Sequence, residues 1–380
     1  MSDELDTSRD DESISALLGK RIATGDFASA VYLVAQGGRV CVSGALGDAV
    51  REPERRAATL DTIYDLASLT KPLVTGLLAA ILYERGEVNP HERVGHYLPE
   101  FARGDKTAIT VQQLLTHTSG LAAWRPLYII ARGERGRAPE AIAAELLESP
   151  PGTRVAYSDL GFITLGFLIE RITGASLAEV ARAEIFGPLA LKRTFFNPSE
   201  TLRTEIAACE STGNAYERDT CRDDSSAFDS RHWRDYPIWG EVHDGNAFFL
   251  GGAAGHAGLF STAHEVLRLA EQFIAGRTSL LKRETCALFR TNMTESLNEA
   301  RSWAWQLAAT KDSTAGPALP PESFGHLGFT GTSCWVDAAR ERVYILLTNR
   351  THARPLPFVN INNVRRQFHT LASTVLDQST

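Results

Sequence analysis

Tyr64-Asp65-Leu66-Ala67-Ser68-Leu69-Thr70-Lys71-Pro72-Leu73-Val74-Thr75-Gly76-Leu77-Leu78-Ala79-Ala80-Ile81 is the stretch from which the rest of the chain can be read. Beyond Ser68, apolar residues fall at Leu73, Leu77, Ala80 and Ile81, which is helical spacing, and Gly86 offers a stop. Pro72 falls in the first turn, where proline is tolerated. The helix places Ser68 and Lys71, three residues apart, on one face. A serine hydroxyl is a poor nucleophile until a neighbour takes its proton. A lysine can take it if its proton affinity is lowered, and the N–H groups of a helix N-terminus lower it while favouring a developing oxyanion. Taken alone the pair is a weak signal, because a capping serine followed by a solvated lysine reads the same way.

Working outward, Ala28 to Val50 reads as a hairpin. Ala30-Val31-Tyr32-Leu33-Val34-Ala35 has the pattern of a buried strand, Gly37-Gly38 is the turn and Arg39-Val40-Cys41-Val42-Ser43 returns. Residues 1–20 read as an acidic, mobile N-terminal segment, most polar over residues 1 to about 12. After Gly86, helices are expected at Val111–Leu115, Pro139–Glu148, Leu160–Ile172 and Leu177–Ile185. Residues 197–250 show no regular pattern. Ser261-Thr262 can cap a helix running to about Ile274. Trp303 to Leu307, Cys334 to Asp337 and Val343 to Thr348 read as strands, and Ile361 to Leu376 as a closing helix. The expected fold is therefore α+β: an antiparallel sheet built from both ends of the chain, about 21–66 and 258–380, with an inserted helical region at about 67–257.

Other motifs stand around the serine. Pro150-Pro151-Gly152 leads into Tyr157-Ser158-Asp159 and a helix, and His117-Thr118-Ser119-Gly120-Leu121 lies between that turn and Ser68. Gly258-Leu259-Phe260-Ser261-Thr262 precedes a later helix, and His326-Leu327-Gly328-Phe329-Thr330-Gly331 sits among the last strands. Together with Ser68-Leu69-Thr70-Lys71, these resemble, in order, the motifs of the serine β-lactamase and penicillin-binding-protein superfamily. The resemblance spans roughly residues 28 to 375. It is closer to the class C β-lactamases, DD-peptidases and esterases of that fold than to class A enzymes, and there is no Ser-Asp-Asn motif.

The resemblance implies a β-lactamase/transpeptidase-like fold and a serine hydrolase. Ser68 would attack a carbonyl, with Lys71 and Tyr157 sharing the general-base task. The backbone N–H groups of Ser68 and Phe329 would hold the oxyanion, with Gly328 and His326 on the same strand. Two positions depart from the family pattern. Asp159 stands where asparagine is expected, and its charge would hold Lys71 protonated. His326 stands where lysine is expected, so a substrate carboxylate would meet a weaker, pH-dependent cation. These departures favour a neutral ester or an amide. A DD-peptidase or β-lactamase acting on wall fragments or β-lactams is the alternative, and a silent homologue that binds a ligand or partner is another. The implied mechanism requires no metal or organic cofactor.

Val242-His243-Asp244-Gly245-Asn246-Ala247 and the glycine-rich run Gly251 to Gly258, which carries His256, resemble a signature of one bacterial branch of the family. They read either as substrate contacts or as a loop tied down by hydrogen bonds. His117 reads as structural. Trp124, Trp239, Trp303 and Trp305 read as core or cleft wall. His91 to His96 has one residue too many for the zinc-protease helix motif. There is no G-x-S-x-G, Walker or G-x-G-x-x-G motif.

Composition limits the partners. The net charge of -7 argues against nucleic acid, whose phosphates attract basic surfaces. Apolar residues make up 43%, ordinary for a globular chain, and no run is long enough to span a bilayer. The start, Met1 to Ser13, has neither the basic nor the apolar region of a secretory signal, so a cytoplasmic protein is expected. The 5 cysteines are odd in number and scattered, which argues against a disulfide framework.

Overall fold

The computed structural model describes residues 11–221 and 233–378. Its strands are β1 (Ser29–Gln36), β2 (Arg39–Val50), β3 (Arg56–Ala57), β4 (Tyr64–Asp65), β5 (Phe260–Ser261), β6 (Gln306–Leu307), β7 (Phe324–Leu327), β8 (Ser333–Asp337) and β9 (Arg342–Thr348). Seven of them form an antiparallel sheet in the order β3-β2-β1-β9-β8-β7-β6, and β4 pairs with β5 apart from it. The sheet is thus made from the two ends of the chain. Ser29 to Gln36 lies between its hairpin partner and β9, with Ala30 opposite Thr348.

This central place explains the unbroken apolar run in β1. Side chains alternate across a strand. Val31, Leu33 and Ala35 enter a core shared with Ile345, Leu347 and the helical region, while Ala30, Tyr32 and Val34 enter a second core on the opposite face. The Gly37-Gly38 turn needs positive φ at both residues, which glycine adopts freely.

The second core corrects the expectation for the N-terminal segment. Residues 1–10 lie outside the described residues, but Glu12–Thr24 is a helix, capped by the Asp11 carboxylate and ended by Gly25 in the left-handed region. Its buried Ile14 and Leu18 share a core with Phe368, Ala372 and Leu376 of the closing helix, Asn362–Gln378. Segment 12–20 is therefore held by packing, not mobile. Leu18→Ala is expected to cost about 3 kcal/mol, read from the midpoint of urea unfolding. An effect within the noise of a surface substitution would mean that the helix does not contribute to the cooperative core.

On the other face, Leu77–Glu84, Asp159–Thr173 and Ala263–Ala270 pack into the larger core. The helix expected at Pro139–Glu148 is shorter, Ala138–Ala144. The strand expected at Trp303 to Leu307 is reduced to β6, with Trp303 and Trp305 buried in the core instead. The five cysteines form no disulfide with one another. Among the described residues no single helix is long and apolar enough to cross a membrane.

Candidate active site

Ser68 lies where the two parts of the molecule meet. The chain leaves β4, turns tightly through Ala67–Leu69 and widens through Lys71–Gly76 before becoming a regular helix at Leu77. Ala67 is held at φ 47°, an uncommon conformation for an L-residue. Several bonds enforce this entry. The Asp65 carboxylate accepts the Ala67 N–H at 2.8 Å and the His243 N–H at 2.7 Å. The Leu66 N–H donates to the Leu259 carbonyl, and the Thr70 hydroxyl accepts the Leu259 N–H. The Gly258 to Thr262 motif therefore serves as the brace for the serine turn.

The lysine ammonium donates to Ser68 Oγ at 2.9 Å and to the His256 carbonyl at 3.2 Å, and its Nζ lies 2.7 Å from Asp159 Oδ1. Lys71 is fully buried. Burial pushes its pKa down, but the Asp159 carboxylate and Tyr157 outweigh burial and hold it above the ordinary lysine value. The net direction is therefore upward, with the Asp159 carboxylate the largest raising influence. Tyr157 lies against the same ammonium, 4.8 Å from Nζ to the ring centre. Burial raises the Tyr157 phenol, with Lys71 partly opposing the rise.

Tyr157 and Asp159 are delivered by a single capped helix start. The Ser158 hydroxyl accepts the Gly161 N–H at 3.1 Å, and Asp159 occupies the first turn beside Lys71. His117 pins the same loop. Its Nδ1 accepts the Ser158 N–H at 3.0 Å, its carbonyl accepts the Ala156 N–H, and its ring lies 4.6 Å from that of Tyr157.

The end of β7 closes the other side. A Cβ on Gly328 would come within 2.6 Å of the Leu66 carbonyl oxygen, so only glycine lets this strand lie against the serine turn. Thr330 and Thr332 donate to the Asp65 and Leu66 carbonyls at 2.8 and 3.0 Å. Buried Arg365 holds the same turn from the closing helix, donating to the Gly328 and Thr332 carbonyls at 2.7 and 2.9 Å. His326 is buried, and its Nδ1 lies 2.9 Å from both the backbone nitrogen and the carbonyl oxygen of Leu327. Burial, then the nearby Lys71 and Arg301 charges, push His326 well below the ordinary histidine range, so it is neutral.

A cavity of about 730 Å³ opens onto Ser68. Tyr157, Asp159, His326, Gly328 and Phe329 all line it, so the sequence-derived residues converge on one site, with buried Lys71 behind Ser68. Of the tryptophans named above, Trp124 lines it, whereas Trp303 and Trp305 are core. His243 and Asp244 also line it. The His243 ring is bonded to Glu210 at 2.9 Å and stacks on Phe329 at 5.5 Å. His91 precedes the short helix Val94–Tyr97 that carries His96, so the two share no helical face.

Three wall residues were not anticipated. Arg301 is buried, paired through Nη2 with Glu299 at 2.6 Å, and its Nε and Nη1 have no partner among the described residues. Glu217 accepts from Tyr128 and Gly245, and burial together with the Asp244 charge pushes its carboxyl up to about 7. Arg350 lies over the Phe329 ring. Asp159, Asp244 and His256 also bring one possible ligand atom each within 4.8 Å of one another, but the Lys71 ammonium already sits on Asp159, and His256 is bonded to Asp244.

A family model described as Beta-lactamase matches residues 14–366. A protein of Escherichia coli (strain K12) named "Putative D-alanyl-D-alanine carboxypeptidase" is 32% identical over 316 residues, 78% of this chain and 71% of that one. Among solved structures, a penicillin-binding protein homologue from Caulobacter crescentus aligns with TM-score 0.72 at 20% identity, over 97% of this chain and 99% of its own. EstCE1, a hydrolase with promiscuous acyltransferase activity, aligns with TM-score 0.71 at 21% identity, over 94% and 97%. The sheet and helical region thus form the β-lactamase/transpeptidase-like fold, and the chain belongs to the beta-lactamase family.

Proposed function

We propose that the protein is a serine hydrolase that cleaves an ester or amide through an acyl-enzyme on Ser68. The observation that carries this reading is the 2.9 Å contact between Ser68 Oγ and the buried Lys71 ammonium at the mouth of a substrate-sized cavity. Ser68 attacks the carbonyl as its proton is relayed through the Lys71 ammonium to the Asp159 carboxylate. The backbone N–H groups of Ser68 and Phe329 receive the oxyanion. Tyr157, neutral at rest, returns a proton to the leaving group, and water then releases the acid.

A second reading is favoured by Arg301. The replacement of lysine by neutral His326 argues for a substrate without a carboxylate. Yet Arg301 presents N–H groups in the pocket wall that have no partner among the described residues, and His326 Nε2 beside it has none either. Buried donors without partners are costly, and a carboxylate would satisfy those of Arg301. This supports a peptide or β-lactam substrate bearing a free carboxylate.

Intact-mass spectrometry after treatment with a fluorophosphonate, and separately with a penicillin, tests both readings. A fluorophosphonate adduct is expected on the wild type and absent from Ser68→Ala. An added penicillin adduct favours the carboxylate reading, and its absence favours the ester. No adduct on folded wild type would defeat the hydrolase reading and leave a ligand-binding homologue.

A further inference from the structure

The segment from Val242 to Gly258 takes no part in the reaction outlined above, yet it touches the catalytic lysine. The His256 carbonyl accepts from Lys71 Nζ at 3.2 Å, and the preceding Gly255 carbonyl accepts from the Thr75 hydroxyl at 2.6 Å. Lys71 and Thr75 are one helical turn apart, so two successive loop carbonyls grip one face of the Ser68 helix. The loop lies this close only because residue 255 lacks a side chain: a Cβ there would stand 2.0 Å from the Phe162 carbonyl oxygen.

The His256 ring is bonded to Asp244. Its Nε2 lies 2.9 Å from Asp244 Oδ1, and the same oxygen caps the short helix Gly245–Phe249 by accepting the Ala247 N–H at 2.7 Å. Burial works against the Asp244 charge, but His256, the Ala247 N–H and Lys71 overcome it and keep the carboxylate ionised. The ligand atoms of Asp244, Asp159 and His256 lie within 4.8 Å of one another, and Lys71 Nζ is 2.7 Å from Asp159. The lysine thus sits beside a second carboxylate.

We propose that Asp244 and His256 are positioning residues for Lys71: His256 fixes the carbonyl that aims the ammonium at Ser68, and Asp244 adds a second negative charge that retains protons in the catalytic cluster. The proposal rests on the Ser68–Lys71 hydrolase reading. The other titratable groups facing Lys71 are Asp159 and Tyr157 at the start of the 159–173 helix, His117 from its loop and His326 from β7. Burial holds the two histidines neutral, with Arg301 and Lys71 adding to the effect. Removing a carboxylate lowers the pKa of every neighbouring group that holds a proton, so the sign of the effect does not depend on which group titrates.

The test is the rate of Ser68 labelling by a fluorophosphonate as a function of pH, which needs no knowledge of the natural substrate. Asp244→Asn and Asp244→Ser both keep a helix cap and remove the charge. Both are expected to move the rise in labelling about one pH unit toward acid, with Asp159→Asn moving it further. Thermal melting confirms that each variant is folded. His256→Ala is expected to lower the plateau about tenfold, and His256→Gln, which can still bond Asp244, to restore most of it. A rise that stays in place in both Asp244 variants would overturn the electrostatic role, even if overall rates fell. An unchanged plateau in His256→Ala would overturn the anchoring role. Wild type that labels at no pH would defeat the hydrolase reading and this one with it, whereas normal labelling with an unmoved rise defeats only this one.

Discussion

Lys71→Ala is expected to slow Ser68 acylation by about a thousandfold or more, measured with a fluorophosphonate or a p-nitrophenyl ester. Lys71 is the cation 2.9 Å from Ser68 Oγ, and Tyr157, raised by burial, is a phenol with no reason to ionise once the ammonium is gone. The substitution also strands the Asp159 carboxylate, which loses its partner at 2.7 Å. Lys71→Ala should therefore be less stable than wild type. Adding Asp159→Asn should recover part of that stability by removing the unpaired charge, with no return of activity. Retention of acylation within tenfold in Lys71→Ala would sink the assignment of Lys71 as the group that takes the proton from Ser68.

The second large effect is expected for Gly255→Ala. The added methyl meets backbone on both sides, 2.0 Å from the Phe162 carbonyl oxygen and 2.9 Å from the Gly166 nitrogen, so no side-chain rotation relieves it. The loop must retreat from the 159–173 helix, taking with it the two carbonyls that hold Thr75 and Lys71. A cost of about 3 kcal/mol is expected from overpacking and the lost hydrogen bonds, with at least tenfold slower labelling of Ser68. Gly174→Ala is the control. Gly174 caps the end of the 159–173 helix at φ 69°, and a Cβ there meets nothing within 4 Å. That variant is expected to cost about 1 kcal/mol and leave labelling unchanged. If urea unfolding and labelling cannot tell the two variants apart, the close approach at Gly255 is not what holds the loop.

How much of this could be read from the sequence follows the range over which each signal acts. Ser68, Lys71, Tyr157, Asp159, His326, Gly328 and Phe329 each sit in a short motif whose spacing is set by one turn or one strand, and they share the site. Arg301, Glu217 and Arg365 have no such local mark. They come from a loop, a short helix and the closing helix, and only tertiary packing brings them to the cavity. The charge balance at Lys71, by contrast, was legible, because Asp159 belongs to the short Tyr157-Ser158-Asp159 motif.

For the fold, β1 was legible because burial on both faces leaves an unbroken apolar run. The helix Glu12–Thr24 was missed because only Ile14 and Leu18 of its residues are buried, too few to mark a face within an acidic stretch. Its end signals, Asp11 and Gly25, were present in the sequence. Trp303 and Trp305 read as strand because aromatic residues favour strands, but they serve as core fillers in an irregular segment.

The pairing of β1 with β9 sets a timetable for the ribosome. Ser29 bonds Asn349, 320 positions further along the chain. During synthesis the hairpin emerges long before the strand that covers its other edge, which lies some 320 positions further on. Until then the apolar edge of Ser29–Gln36 is open to any strand-like segment nearby. A chain stalled or cut before residue 342 keeps that edge bare, so such fragments are expected to aggregate or to occupy chaperones rather than persist as partly folded enzyme.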